Sequence, residues 1–136
     1  MEKLKFAFAT NDGELFINEH FGDADFYDIY EISADKNKFI KRIHNTSEEE
    51  DEEIHADPKK AKSIVDLLKT ENVKVVCSKV FGPNIMRIKK KFVCVLLNNK
   101  NIQDSILTVQ ANINNIIDEL EKGENRSFIN LKKISD

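Results

Sequence analysis

Residues 3–10 read Lys-Leu-Lys-Phe-Ala-Phe-Ala-Thr, and this stretch decides the fold. Leu4, Phe6 and Phe8 point one way, Ala7 and Ala9 the other. A strand with one bulky face and one small-residue face can be covered on both sides, as an interior strand is. Asn11-Asp12-Gly13 follows as a turn in which Gly accepts a positive φ. Residues 14–24 show no clear period and contain His20-Phe21-Gly22. Beyond them, residues 25–33 (DFYDIYEIS) and 38–45 (KFIKRIHN) read as two more strands, joined by a turn at Asp35-Lys36-Asn37. Three strands with short links predict an antiparallel meander.

The second half changes period. Asp57 as N-cap and Pro58 at the first helical position open a helix. Ala61, Ile64, Val65 and Leu68 give it one apolar face, and it ends near Asn72. Residues 73–80 (VKVVCSKV) read as a strand, Phe81-Gly82-Pro83-Asn84 as a break, and 84–90 as a short helix. Phe92 to Leu97 is a continuous apolar run, the mark of a strand buried on both faces. A last helix is expected over 102–122, with Ile102, Ile106, Val109, Ile113, Ile116, Ile117 and Leu120 on one face and Gly123 as C-cap. Residues 125–136 read as a C-terminal tail, with Phe128, Ile129 and Leu131 docking back.

These elements predict one α/β domain over residues 1–124. Its sheet is expected to be mixed and five-stranded, in βββαβαβα order, with helices on both faces. The ribonuclease H-like topology has this order and sets the first strand in the centre, beside the fourth. Ligands of open α/β sheets favour the crevice where neighbouring connections diverge. Here the loops leaving it are 11–24 and 81–84.

Composition narrows the function. The chain has 136 residues, 40% apolar and 33% charged, with nine Phe, which is enough to close one core. A formal charge of −3 argues against a general nucleic-acid binder. No apolar run approaches the roughly 20 residues that span a bilayer. The N-terminus runs directly into the first strand without a signal-peptide core. Cys77 and Cys94 are too few for a disulfide framework, so a cytoplasmic protein with reduced thiols is expected. Residues 48–53 are six consecutive acids, predicting a solvated, mobile loop over about 46–56. Its functional alternative is an arm for a basic partner.

The chemistry is sparse. Two-metal nuclease work needs carboxylates on the central strands, and neither 3–10 nor 73–80 contains one. The candidate metal ligands are His20, His44, His55, Cys77 and Cys94, with no CxxC, HxH or HExxH spacing. Cys94 reads as core. Cys77, placed on the face of Val73 and Val75, reads as core more readily than as ligand. His44 sits at a strand end, where exposure is common. His55 lies between the acids and the first helix, either solvated or reaching the crevice. His20, beside Phe21 and Gly22 in a long loop, is either a ligand or a loop-shaping hydrogen-bond donor.

His20-Phe21-Gly22, with Ala24, Phe26 or Tyr27, and Ile29-Tyr30-Glu31, resembles the HFG-x-A…F-x-IYE segment of the dinitrogenase iron–molybdenum cofactor biosynthesis family, the NifX-like proteins and the matching C-terminal domain of NifB. Gly82-Pro83, about 60 residues further on, resembles the family's glycine turn after the fourth strand. The resemblance covers roughly residues 3–122. It implies a ribonuclease H-like fold and a non-catalytic binding or carrier role for an iron–sulfur-based cluster, of iron–molybdenum cofactor or precursor type, with cofactor-assembly or acceptor proteins as partners. The implied site is Asn11, His20, Phe21, Gly22, Gly82, Pro83 and Asn84, with His20 as metal ligand and His55 and Cys77 as further candidates. Backbone N–H groups from Gly82 to Asn84 would solvate the anionic cluster, and Lys79 and Arg87 would add cationic contacts. The acidic insertion stands where many relatives carry further glycine and histidine. The alternative is a regulatory or protein-binding module that keeps the fold without a cluster.

Overall fold

The computed structural model describes residues 2–45 and 58–132, and the side chains of all of these except 58–63. The acidic run and His55 lie outside the described residues, and so does the mobility expected of 46–56. Strands β1 (Leu4–Thr10), β2 (Phe26–Ile32) and β3 (Asn37–His44) are followed by helix α1 (Pro58–Thr70), β4 (Val75–Ser78), α2 (Ile85–Ile88) and β5 (Val93–Leu96). Helices α3 (Ile102–Ala111) and α4 (Ile113–Glu121) and a two-residue strand β6 (Ile129–Asn130) complete the chain.

The sheet order is β3-β2-β1-β4-β5-β6. β1 is interior, antiparallel to β2 and parallel to β4, with Phe8 level with Asp28 on one side and with Cys77 on the other. Its two faces build two cores. Ala7 and Ala9 leave room for Ile64, Val65 and Leu68 of α1 and for Phe21 and Phe81. Leu4, Phe6 and Phe8 fill the opposite side against Ile102, Ile106, Val109, Ile113 and Ile116 of α3 and α4. The small face thus admits the loop aromatics, and the large face meets the long apolar stripe. α1 ends where Asn72 takes a left-handed φ of 61°, and the Val73 amide donates to the Leu68 carbonyl.

Three expectations are corrected. Among the described residues the sheet has six strands: in the segment read as a tail, Ile129 and Asn130 pair in parallel with Val95 and Leu96, and the Leu131 amide donates to the Leu96 carbonyl. Ile129 and Leu131 pack on the α3 side, while Phe128 stays about half exposed. Secondly, the last helix is broken. Asn112 leaves helical geometry (φ −116°, ψ 17°), and its side-chain amide donates to the Thr108 carbonyl at 2.9 Å, the local competition by which Asn interrupts a helix. The apolar face continues in phase across the break, which hides it in the sequence. Thirdly, Cys77 shares its face with Val75 but not with Val73, which precedes the strand and packs on the α1 side.

Candidate functional site

Thr10 and Ser78 end neighbouring parallel strands, so the loops leaving β1 and β4 start side by side. They are bonded to each other: the Phe21 amide donates to the Val80 carbonyl at 2.8 Å. Phe21 stacks on Phe81 at 5.2 Å between ring centroids and packs against Tyr27 at 4.9 Å. Both phenylalanines are buried on the α1 side. The aromatic cluster is the anchor that lets the loop be long without being loose.

The His20-Phe21-Gly22 turn is tied down by its backbone. The Tyr27 hydroxyl donates to the Phe21 carbonyl at 2.9 Å, and burial pushes that phenol well above its ordinary range, so it stays a donor. The Asn45 amide donates to the Gly22 and Ala24 carbonyls, each at 2.9 Å. The Asn11 side chain accepts the Asp25 amide at 2.8 Å and so closes the loop at its far end. At the loop's start, the Asp12 carboxylate accepts the amides of Leu15 and Glu14, which hold it below its usual range. These bonds fix where His20 stands.

His20 lies against Gly82. A β-carbon on Gly82 would fall 2.5 Å from Nδ1, 2.6 Å from Cγ and 2.8 Å from Cε1 of the imidazole. Gly82 also has a φ of 74°, which L residues rarely adopt. Two independent reasons therefore require glycine here, and both serve to bring the two loops together. The His20 side chain remains 38% exposed, so the ring is seated but accessible.

Of the residues named from the sequence, His20, Phe21, Gly22, Gly82, Pro83 and Asn84 belong to the two joined loops, while Asn11 holds the loop closed. Pro83 has no N–H, so within that turn only Gly82 and Asn84 carry one. Lys79 reaches Asn18 at 3.4 Å, and Arg87 is exposed on α2. Cys77 is not brought to His20. It is fully buried on the α3 side, and burial pushes its thiol well above the usual range, disfavouring the thiolate that binds metal. Cys94 is buried on the α1 side, its thiol pushed up to about 12 by the same desolvation. Among the described residues no three His, Cys, Asp or Glu side chains converge into a metal-holding group. The Ser78 hydroxyl, buried at the end of β4, has no hydrogen-bond partner. Nothing in its VVCSKV context marks it from sequence, and the anchoring roles of Asn45 and Tyr27 are equally silent there.

A central strand flanked by an antiparallel and a parallel neighbour, with helices on both faces and a seated histidine where the loops of the parallel pair meet, defines a mixed α/β domain. The chain belongs to the dinitrogenase iron–molybdenum cofactor family, whose sequence profile matches residues 2–112. The match ends at the break between α3 and α4. A crystal structure from Methanocaldococcus jannaschii, provisionally described as a dinitrogenase, is 22% identical and superposes with a TM-score of 0.58 over 82% of this chain and 92% of that one. An NMR structure of the same description is 20% identical, with a TM-score of 0.55 over 83% and 92% of the two chains. Both are likenesses of fold. No curated protein matches the chain.

Proposed function

We propose that this protein is a non-catalytic binding or carrier protein for an iron–sulfur-based cluster, of iron–molybdenum cofactor or precursor type, in metallocofactor assembly. The observation that carries it is His20: an accessible imidazole, seated on Gly82 by a turn with several backbone anchors, at the carboxyl ends of adjacent strands, in a chain of this family. Neutral imidazole is a good iron ligand. Delivery to cofactor-assembly or acceptor proteins in the cytoplasm, on a ribonuclease H-like scaffold, completes this reading.

Anaerobic reconstitution with iron and sulfide, or loading with a preformed cofactor, tests it. Wild type should acquire the visible absorption and iron content of a bound cluster, and folded His20→Ala should not. Equal uptake by the two proteins would remove His20 as ligand. No uptake by either would favour the second reading, a regulatory or protein-binding module without a cluster. One observation stands on that side: no three ligating side chains converge among the described residues.

A further inference from the structure

The loop leaving β1 roofs the carboxyl end of β4. β4 lies between β1 and β5, so a loop that starts at β1 and bonds to residues beyond β5 must cross it. The bonds are there: the Phe16 amide donates to the Lys100 carbonyl at 3.3 Å, and the Ile102 amide to the Glu14 carbonyl at 2.9 Å. Phe16 packs in the core on the α3 side and the next residue, Ile17, in the core on the α1 side, so the loop changes side there. On the α1 side it meets the loop after β4 through lighter contacts. These are the Phe21 amide on the Val80 carbonyl, the Phe21–Phe81 stack, and the Lys79 ammonium at 3.4 Å from the Asn18 side chain.

Ser78, the last residue of β4, is fully buried, and its hydroxyl has no hydrogen-bond partner. Val76 packs on the α1 side and Cys77 on the α3 side, so alternation turns Ser78 to the α1 side, where the two loops are joined. An unpaired buried hydroxyl costs folding free energy, and native chains rarely keep one. Packing does not call for it: Ala7 and Ala9 serve the same face of the neighbouring strand. From this placement we propose that Ser78 is a further ligand-binding residue, whose hydroxyl donates to an anionic sulfur of the cluster once the roof parts from the loop after β4. The inference rests on the cluster-binding reading and deepens it. The site then has two levels, an accessible His20 at its mouth and a hydroxyl under the roof, left unpaired until cargo enters.

Three measurements on the full chain test this. In denaturant unfolding without iron, Ser78→Ala should be as stable as wild type or more so, because the hydroxyl it removes has no partner. A clear loss of stability would show that the hydroxyl is already satisfied, by the chain or by water, and would overturn the proposal. In native-state hydrogen exchange, the Phe21 amide should exchange through local opening, at denaturant concentrations well below global unfolding. Exchange of that amide only with global unfolding would leave Ser78 out of reach and would equally overturn it. In anaerobic titration with iron and sulfide, Ser78→Ala should bind the cluster several-fold more weakly than wild type. Equal binding by the two proteins would remove Ser78 as a ligand-binding residue and leave the cluster-binding reading standing. No uptake by wild type would remove that reading, and this proposal with it.

Discussion

The turn around His20 and the corner around Arg126 are both irregular segments centred on one polar side chain, and they use it in opposite ways. Arg126 is 6% exposed, and its guanidinium donates to the carbonyls of Glu119 (3.3 Å), Lys89 (3.1 Å) and Leu120 (3.1 Å). Its own carbonyl accepts the Lys89 ammonium at 3.1 Å. That side chain caps the end of α4 and ties it to the turn before β5. At His20 the anchors are backbone carbonyls held by Tyr27 and Asn45, while the imidazole itself stays partly accessible. A polar group fully engaged by its own chain is structural. One that the chain holds still but leaves open is available to a ligand.

Arg126→Ala should produce the largest effect on the molecule. Removing a buried cation that satisfies three carbonyls should cost on the order of 3 kcal/mol, since hydrogen bonds to charged groups each contribute about 1.5–3 kcal/mol net. Denaturant unfolding checks this. Cluster uptake by the folded fraction should be unchanged, because the Arg126 guanidinium donates to Glu119, Lys89 and Leu120 and to no residue of the two joined loops. A variant as stable as wild type would break the contrast from the structural side. His20→Ala should do the reverse, weakening cluster binding at least tenfold, or about 1.4 kcal/mol, with a change in stability below about 0.5 kcal/mol. A large loss of stability in His20→Ala would make the histidine a structural residue like Arg126.

The two regions also differ in how far the sequence reveals them. Alternation over Leu4–Thr10 and the apolar stripes of the helices carry their own period, so the meander, α1 and the interior place of β1 can be read from residues. His20-Phe21-Gly22 is readable as a motif. Its seat on Gly82 is not, because that contact joins residues 62 positions apart and depends on the parallel register of β1 and β4. The Arg126 corner is silent altogether. A two-residue strand has no period to detect, and β6 exists because β5 offers an unpaired edge and Arg126 fixes the approach of the chain. Asn112 breaks a helix by its own side-chain bond while the apolar pattern runs on unbroken. Local pattern reveals elements, whereas these contacts are decided by what tertiary structure places beside them.

Cys94 gives a smaller and sharper test. It is buried on the α1 side, the side that also holds Phe21 and Phe81, so a cavity there lies under the candidate site's anchor. Cys94→Ala should cost about 1 kcal/mol from lost packing. It should leave cluster uptake intact if burial is the thiol's whole role. Rapid labelling of Cys94 by a bulky thiol reagent in the folded protein would contradict its burial.

The smallest effect separates the two regions by pH. Glu119 accepts the Lys122 ammonium at 2.7 Å and the Ser127 amide at 3.0 Å, and these bonds hold its carboxyl below its ordinary value of 4.5. A carboxyl depressed in the folded state contributes stability that is fully present above its unfolded value and is lost as pH falls through the folded one. The Arg126 corner should therefore loosen below about pH 4.5, an effect modest in size because the Glu119–Lys122 pair is still open to solvent on the lysine side. Asp12, held low by the amides of Leu15 and Glu14, should loosen the start of the His20 loop in the same direction. Wild type thus gives two local transitions of the same sign, read as falling amide protection at Ser127 and at Leu15. Glu119→Gln removes the titrating charge at one corner only. Protection at Ser127 should then be lower and independent of acid pH, while Leu15 keeps its wild-type profile. If both amides changed together in Glu119→Gln, the corner and the loop would be one cooperative unit, and the contrast between a closed structural region and an open binding region would fail.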